Sequence, residues 1–238
     1  MLDIPFASQD EVRLTYDPPV GRVWHPKHIL TPVWHLDARA CMLKRVLDVA
    51  LAIGGLVLAS PFMLCIALAI WRESRGPILF RQRRVGQHGD PFTLFKFRTM
   101  HASADSTGPL RQATRHDSRV TRLGRWLRRH SLDELPQLLN VLRGEMSIVG
   151  PRPHAPGTRA GGKLFEDVSP RYGARHCVKP GLTGLAQVRG WRGETDTEEK
   201  LLRRIECDLE YIAGWSVALD LKIIGKTAIS VFHMRNAY

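Results

Sequence analysis

An uncharged run of 23 residues, from Val49 to Trp71, limits what this chain can fold into more than any other feature. A run of this length can cross a bilayer core of about 30 Å as one helix. Both of its ends are flanked by basic residues, which are Lys44 and Arg45 on one side and Arg72, Arg75, Arg81, Arg83 and Arg84 on the other. The positive-inside rule is therefore satisfied only if both ends stay on the cytoplasmic side.

A Ser60-Pro61 pair lies at the middle of this run. Proline inside a helix removes one backbone hydrogen bond and clashes with the preceding turn, and a serine hydroxyl can replace the lost bond within lipid. We therefore predict a re-entrant helix over residues 41–75 that enters one leaflet, bends at Ser60-Pro61 and returns. A kinked helix that spans the bilayer is the alternative. A core helix of a soluble protein is seldom apolar on every face for so long.

The composition of the chain points to a polyanionic partner. Its 238 residues include 35 basic and 23 acidic side chains, which gives a formal net charge of +12. Such an excess suits nucleic acid, an anionic membrane surface or a phosphorylated substrate. We find no nucleic-acid-binding motif, so nucleic acid is not expected as a partner. The cysteines show no paired spacing, which argues against a disulfide framework or a zinc site and favours a reducing, cytoplasm-facing compartment.

Three regions of the chain differ in composition. Residues 1–40 are rich in proline, histidine and tryptophan, lack a signal-peptide-like apolar stretch, and are predicted to form an N-terminal tail. Residues 41–75 are the re-entrant helix, and residues 76–238 are a cytoplasmic domain whose last helices suit core packing or the lipid headgroup layer. Short strands over 78–80 and 91–97 predict a small β-hairpin. The expected fold class is α+β, predominantly helical, in a monotopic membrane protein.

Two adjacent carboxylates, Asp133 and Glu134, precede a predicted helix. The helix is indicated by leucines at helical spacing and a glycine at the expected C-terminal cap, which are Leu135, Leu138, Leu139, Leu142 and Gly144. If Ser131 were the N-cap, Pro136 would fall past the first turn and cost a hydrogen bond. We therefore prefer Asp133 as the cap, which places both carboxylates, exposed, at the positive end of the helix dipole.

The surroundings of this carboxylate pair are strongly basic. Acidic residues in a first helical turn are ordinarily capping residues, and the pair alone would be interpreted so. Nearby in the sequence are a Pro151-Arg152-Pro153 segment and Arg119, Arg122, Arg125, Arg128, Arg129 and Arg143. One carboxylate can attack phosphorus and a second can hold Mg²⁺, so the pattern favours a site for a phosphorylated substrate. Lys96, between two phenylalanines, is either a phosphate ligand or an edge lysine that snorkels.

Six segments follow one another in a distinctive order. They are Lys44-Arg45-Val46-Leu47-Asp48, Ser60-Pro61, Phe95-Lys96-Phe97-Arg98-Thr99-Met100, residues 131–137, Gly150-Pro151-Arg152-Pro153 and Lys179-Pro180-Gly181-Leu182-Thr183-Gly184. Together they resemble the monotopic phosphoglycosyl transferases, also called bacterial sugar transferases. The resemblance implies a helix broken at Ser60-Pro61, a catalytic domain over residues 76–238, Asp133 as the nucleophile and Glu134 as a Mg²⁺ ligand. Phosphate and nucleotide contacts are implied for Lys96, Arg98, Arg129 and Arg152.

The reaction that the resemblance implies has two steps at the cytoplasmic face of a bacterial inner membrane. Asp133 attacks the sugar-bearing phosphate of a UDP-sugar and expels UMP, and polyprenyl (undecaprenyl) phosphate then takes the phosphosugar. Segments over 152–155, 161–165 and 188–197 look like members that prime exopolysaccharide synthesis with glucose 1-phosphate or galactose 1-phosphate. Anionic membrane lipids are implied partners, and a homo-oligomer is left open. The alternative is a non-catalytic, membrane-tethered basic binding protein.

Overall fold

A computed structural model describes residues 38–101 and 117–232 of the chain. The tail predicted over residues 1–40 lies outside this part, except for its last three residues, which belong to the first helix. The described residues combine helices with short β-sheets. The α+β fold class, predominantly helical, is confirmed at this level.

The bounds of the elements in the described residues are as follows. The helices are α1 (Ala38–Glu73), α2 (Arg122–His130), α3 (Gln137–Arg143), α4 (Phe165–Val168), α5 (Leu185–Val188), α6 (Glu198–Ala213) and α7 (Val217–Phe232). The strands are β1 (Leu79–Val85), β2 (Pro91–Phe97), β3 (Ser147–Val149), β4 (Arg159–Ala160), β5 (Lys163–Leu164) and β6 (Gly181–Thr183). Strands β1 and β2 pair antiparallel, as do β4 and β5, whereas β3 and β6 pair parallel.

Helix α1 contains the uncharged run and continues through Pro61. Its segment Arg39–Glu73 is, among the described residues, the one helix long and apolar enough to cross a membrane. The Ser60 hydroxyl donates to the carbonyl oxygen of Val57 at 2.9 Å, the group that an N–H at position 61 would have bonded in a helix. The replacement bond expected from Ser60 is thus confirmed. The bend and the return through one leaflet stay predictions, because the helix is assigned without a break.

Both ends of α1 are held by the rest of the described chain. Near its start, Lys44 Nζ donates to Asp220 Oδ2 at 2.7 Å and to the carbonyl oxygen of Val149 at 3.2 Å. At its end, the Glu73 carboxylate accepts a hydrogen bond from the backbone N–H of Leu123 at 2.9 Å. The helix therefore lies along the domain and does not leave it at one end.

The middle of α1 is covered much less than its ends. Every residue over 53–65 is half-buried or exposed, and Leu58 is 85% exposed. Buried positions flank this stretch on both sides. Before it, Ala52 belongs to a hydrophobic cluster that includes residues of α3 and β3, and after it, Ile66 and Ile70 belong to a cluster with Phe97. A large apolar surface thus remains uncovered between two packed halves.

The β1–β2 hairpin confirms the predicted one, with a longer first strand. Its register pairs Leu79 with Phe97 and Val85 with Pro91. The prediction ended the first strand at residue 80, whereas β1 continues to Val85. Exposed Arg81 is followed by half-buried Gln82, so burial alternates along this strand as expected for β structure. The prediction stopped early because these residues are polar and show no alternation of apolar and polar types.

The start of α3 differs from both predicted alternatives. Helix α2 ends at His130, its C-cap residue Ser131 adopts a left-handed conformation with φ 60°, and one 3₁₀ turn, Leu132–Glu134, follows. Helix α3 begins at Gln137 with Pro136 as its N-cap residue, so capping by Asp133 is wrong, and so is capping by Ser131. The physical reason is that the left-handed Ser131 ends α2 and turns the chain, and the fixed φ of proline then suits the start of the next helix.

We expect the Asp220 carboxylate to be a main support of the α1 start. It is buried and accepts hydrogen bonds from Lys44 Nζ, from the Tyr211 hydroxyl at 2.8 Å and from Trp215 Nε1 at 3.2 Å. Asp220→Ala should lower the free energy of unfolding by about 1.5 to 3 kcal/mol, because it removes the nearer anion of Lys44 and leaves only Asp48 Oδ1 at 3.9 Å. Thermal unfolding in detergent micelles measures this. Asp167→Ala, at an exposed site in α4, is the control, and equal midpoints for the two variants would contradict the expectation.

Candidate active site

The carboxylate pair lies in the 3₁₀ turn between α2 and α3. Leu132 and Leu135, on either side of the pair, pack against the cluster that contains Ile66 of α1. The two acidic side chains are buried, with Asp133 7% and Glu134 9% exposed. The expectation that both are exposed at a helix start is therefore wrong. The apolar flanks turn toward α1 and bring the carboxylates into the interior.

Glu134 is paired with two cations from distant segments. Lys96 Nζ, on β2, donates to Glu134 Oε1 at 3.0 Å. Arg152, on the loop after β3, donates to both carboxylate oxygens, with 3.1 Å between Nη1 and Oε2. Burial alone would raise the pKa of Glu134, but the charges of Arg152 and Lys96 outweigh it and hold that pKa well below its usual range. Glu134 is therefore a buried anion with charge-assisted partners.

Asp133 differs from its neighbour. Its carboxylate forms no hydrogen bond or ion pair with any other residue in the described part of the chain. Burial raises its pKa above the usual aspartate range, Lys96 opposes this rise, and the negative charge of Glu134 adds to it. The charges of Arg128 and Arg152 also act to lower the pKa. Asp133 is thus a buried carboxylate that has no bonded partner among the described residues and that feels the charges of nearby cations.

Asn140 fixes β2 against α3 and so places Lys96 beside Glu134. Its side-chain oxygen accepts a hydrogen bond from the backbone N–H of Phe95 at 3.1 Å, and its amide donates to the carbonyl oxygen of Thr93 at 2.7 Å. Asn140 is fully buried. Sequence reasoning missed it, because one polar residue within a helical leucine pattern gives no sign of a strand partner.

The loop that carries Arg152 is held by a close approach of two backbones. Strands β3 and β6 pair parallel, with Val149 opposite Thr183. Gly150 N donates to the carbonyl oxygen of Thr183 at 2.9 Å, and a Cβ at Gly181 would overlap the backbone of Gly150. Two glycines are required here for steric reasons. The Pro151-Arg152-Pro153 segment therefore leaves the sheet in a defined direction.

The structure does not bring the other two predicted cations to the carboxylates. Arg98 is buried and donates to the carbonyl oxygen of Ser74 at 2.7 Å, while Nε and Nη1 of its guanidinium have no partner among the described residues. Arg129 is exposed on α2. Their substrate contacts stay predictions. Arg128 lies nearer, and its Nε donates to Thr99 Oγ1 at 2.8 Å.

Arg192 is a further cation of the site that sequence reasoning left without a role. It lies in the Gly190–Gly193 turn after α5 and donates to the Ser131 hydroxyl, beside the 3₁₀ turn. Its charge also lowers the pKa of Glu134. In the sequence, this turn belongs to the segment over 188–197 that resembles members of the family. Its distance of about sixty residues from Ser131 gave no sign that the two would meet.

Mg²⁺ fits this carboxylate pair only together with a phosphorylated substrate. The described residues contain no group of three or more His, Cys, Asp or Glu side chains that could hold a metal ion by themselves. Proteins commonly hold Mg²⁺ by one or two carboxylates, with water and substrate phosphates as the other ligands. Asp133 and Glu134 supply two adjacent carboxylates, but Lys96 and Arg152 already neutralise Glu134. A diphosphate would attract these cations and leave Glu134 free to hold the metal.

The sequence of this chain matches a known protein family and several known proteins. The bacterial sugar transferase family matches residues 39–234. A UDP-glucose:undecaprenyl-phosphate glucose-1-phosphate transferase of Caulobacter vibrioides is 54% identical over 196 residues, which cover 82% of this chain and 72% of that protein. An undecaprenyl-phosphate glucose phosphotransferase of Komagataeibacter xylinus is 52% identical over 195 residues, or 82% of this chain and 37% of that protein.

A third relative extends the comparison. The UDP-glucose:undecaprenyl-phosphate glucose-1-phosphate transferase of Escherichia coli K12 is 51% identical over 197 residues, or 83% of this chain and 42% of that protein. The chain thus spans less than half the length of the K. xylinus and E. coli relatives. The family match covers the apolar helix, the carboxylate turn and the Arg152 loop alike. With the paired carboxylates and their cations in place, this chain belongs to the bacterial sugar transferase family.

Proposed function

We propose that the chain transfers a hexose 1-phosphate from a UDP-sugar to polyprenyl phosphate and so primes exopolysaccharide synthesis. The observation that carries this proposal is the unequal state of two adjacent buried carboxylates. Glu134 is fully paired, whereas Asp133 has no bonded partner among the described residues and lies close to Lys96 and Arg128. Such a division suits one carboxylate that reacts and one that organises charge.

In the first step, an Asp133 carboxylate oxygen attacks the sugar-bearing phosphorus of the donor. The new P–O bond forms as the bond from that phosphorus to the bridging oxygen of the diphosphate breaks, and UMP leaves with the bridging oxygen. An aspartyl phosphosugar remains on the enzyme. Arg152, Lys96 and Arg128 are positioned to neutralise phosphate oxygens as charge moves onto UMP. Mg²⁺ held by Glu134 would add Lewis-acid stabilisation of the same charge.

In the second step, a phosphate oxygen of polyprenyl phosphate attacks the phosphorus of the aspartyl phosphosugar. The bond from phosphorus to the Asp133 oxygen breaks, which restores the carboxylate and releases polyprenyl diphosphate sugar. The names of the relatives support glucose as the transferred sugar, since the three proteins compared above are glucose transferases. Galactose is the second candidate, and a set of UDP-sugars assayed side by side distinguishes the two.

The contacts of α1 support the re-entrant topology at the cytoplasmic face. A straight helix of its length would extend about 54 Å, well beyond a bilayer core of about 30 Å. The same domain holds Lys44 at one end and Glu73 at the other, which supports placing both ends on one side of the membrane. The exposed surface around Leu58 and Pro61 is then the part that enters the lipid.

The covalent step predicts an exchange reaction that needs no lipid acceptor. Labelled UMP should enter UDP-glucose when only enzyme and Mg²⁺ are present, because the first step is reversible. Asp133→Asn should abolish this exchange and keep the fold, since Asp133 has no bonded partner to lose among the described residues. Asp167→Asn, exposed on α4, is the control. If the parent enzyme transfers the phosphosugar to lipid but exchanges no UMP, the covalent step is overturned. If it shows neither exchange nor transfer, the non-catalytic binding protein is favoured.

The raised pKa of Asp133 predicts where the acid limb of the exchange reaction lies. The nucleophile must be ionised, so kcat/KM should fall as the pH drops through the pKa of folded Asp133, above the ordinary value of about 3.9. Lys96 lowers that pKa, so Lys96→Met should move the limb to higher pH, while Arg152 keeps Glu134 ionised. Lys222→Met, exposed on α7, should leave the limb in place. A limb that moves to lower pH in Lys96→Met contradicts this account.

The topology has a direct test, because Cys41 is a natural exposed probe three residues before Lys44. The second probe is Arg75→Cys, just after α1. Each probe is the single cysteine of its own chain, in which the other native cysteines are replaced by alanine. A membrane-impermeant maleimide should label both probes in inside-out vesicles and neither in right-side-out vesicles. Labelling of the two probes from opposite sides would establish a spanning helix instead.

A further inference from the structure

A buried ion pair lies behind the Arg152 loop, away from the carboxylate turn. Arg175, in the 3₁₀ segment Tyr172–Cys177, is 2% exposed, and Asp208 of α6 is 3% exposed. Arg175 Nε and Nη2 both donate to Asp208 Oδ2, at 2.9 and 2.7 Å. A buried ion pair seldom stabilises a fold more than apolar residues of the same volume would. The presence of this pair therefore calls for an explanation other than stability.

The remaining donors of Arg175 hold the Arg152 loop. Arg175 Nη2 also donates to the backbone carbonyl oxygen of Arg152 at 2.7 Å. Its Nη1 lies 2.8 Å from Nδ1 of His154, and because a guanidinium cannot accept, Nδ1 is the acceptor and the imidazole proton is assigned to Nε2. Burial and the charge of Arg175 keep the pKa of His154 well below its usual range, so His154 stays neutral. One guanidinium thus links α6 to two residues of the loop.

Strand β1 holds the same loop from a second direction. The backbone N–H of Val85 donates to the carbonyl oxygen of His154 at 3.0 Å, and Arg84 Nη1 donates to the carbonyl oxygen of Pro153 at 3.2 Å. These contacts reach the loop after Arg152, whereas Arg175 bonds the carbonyl of Arg152 itself. On the other side of Arg152, the backbone N–H of Gly181 donates to the carbonyl oxygen of Pro151 at 2.9 Å. Arg175 therefore holds the carbonyl of Arg152 between two anchored segments of the loop.

We propose that Arg175, fixed by Asp208, is a positioning residue that orients Arg152 toward Glu134. The proposal rests on the proposed function, in which Arg152 neutralises charge beside the nucleophile. Arg175 acts through the backbone of Arg152 and touches neither carboxylate of the turn. Lysine at position 175 keeps the charge beside Asp208 but lacks the planar set of donors that reaches Asp208, Arg152 and His154 together.

The first test measures the orientation of Arg152 without any reaction. In ¹⁵N NMR spectra of the enzyme in nanodiscs, the Arg152 guanidinium, assigned from Arg152→Gln, should show the slow rotation about its Nε–Cζ bond that a bidentate partner imposes. Arg175→Lys should make that rotation fast. Thr197→Ala removes the N-cap hydrogen bond of α6 at Lys200 N and destabilises the same helix that carries Asp208, but should leave the rotation slow. Slow rotation in Arg175→Lys would overturn the proposal.

The second test asks whether Arg175 acts through Arg152 during UMP exchange. Arg175→Lys should lower kcat/KM about 10- to 100-fold in the parent chain, as is typical when a residue that supports a site is changed. In an Arg152→Gln chain the same change should have little effect, because the group it orients is gone. If Arg175→Lys lowers kcat/KM by the same factor in the Arg152→Gln chain as in the parent chain, Arg175 has a merely structural role. If it does not lower kcat/KM in the parent chain, the positioning role is excluded. Arg171→Lys, exposed in the adjacent segment, is the matched control.

Two precautions keep these outcomes distinct. If Arg175→Lys is unstable at the assay temperature, Asp208→Asn, which keeps the size of the side chain that fixes Arg175, takes its place with the same expected results. If the parent enzyme neither exchanges UMP nor transfers a phosphosugar to polyprenyl phosphate, the proposed function fails. The NMR comparison then still decides whether Arg175 orients Arg152.

Discussion

The ion pairs of Glu134 are the constraint on which the rest of the site depends. A buried carboxylate is costly unless cations and hydrogen bonds compensate it, and here Lys96 and Arg152 do so from segments distant in sequence. Each cation is itself held from behind, Lys96 by the hydrogen bonds of Asn140 to β2 and Arg152 by the loop bonded to Arg175. The hairpin, the 3₁₀ turn and the loop after β3 must therefore all be in place before Glu134 can be buried.

The contrast between the two carboxylates follows from this arrangement. Because Glu134 takes the direct bonds of Lys96 and Arg152, Asp133 receives their electric field without their hydrogen bonds. A bonded carboxylate is a poor nucleophile, since its lone pairs are engaged, and a solvated one must shed water first. Asp133 is buried and has no bonded partner among the described residues. Under the proposed function, the pairing of Glu134 with both cations thus leaves the Asp133 carboxylate available for attack.

Much of the local structure was predictable from the sequence, and the long-range contacts were not. The hairpin and the Gly144 C-cap follow from short-range signals, and both are confirmed. The burial of Asp133 was missed, because one left-handed residue at Ser131 changes the direction of the chain and no sequence pattern marks it. Asn140 and Arg175 were missed for another reason, since their partners lie about 45 and 20 to 35 residues away.

The packing of Leu132 and Leu135 onto the second half of α1 has a consequence for the proposed reaction with a lipid phosphate. The reactive turn rests directly on the helix that carries the apolar surface, with no linker between them. Removing that helix would expose the underside of the turn, so anchor and catalyst form one folding unit. If α1 enters the bilayer as proposed, the carboxylates stand at a constant height above it. Encounters with a lipid phosphate are then confined to two dimensions, where the headgroups that diffuse past at that height are the ones within reach.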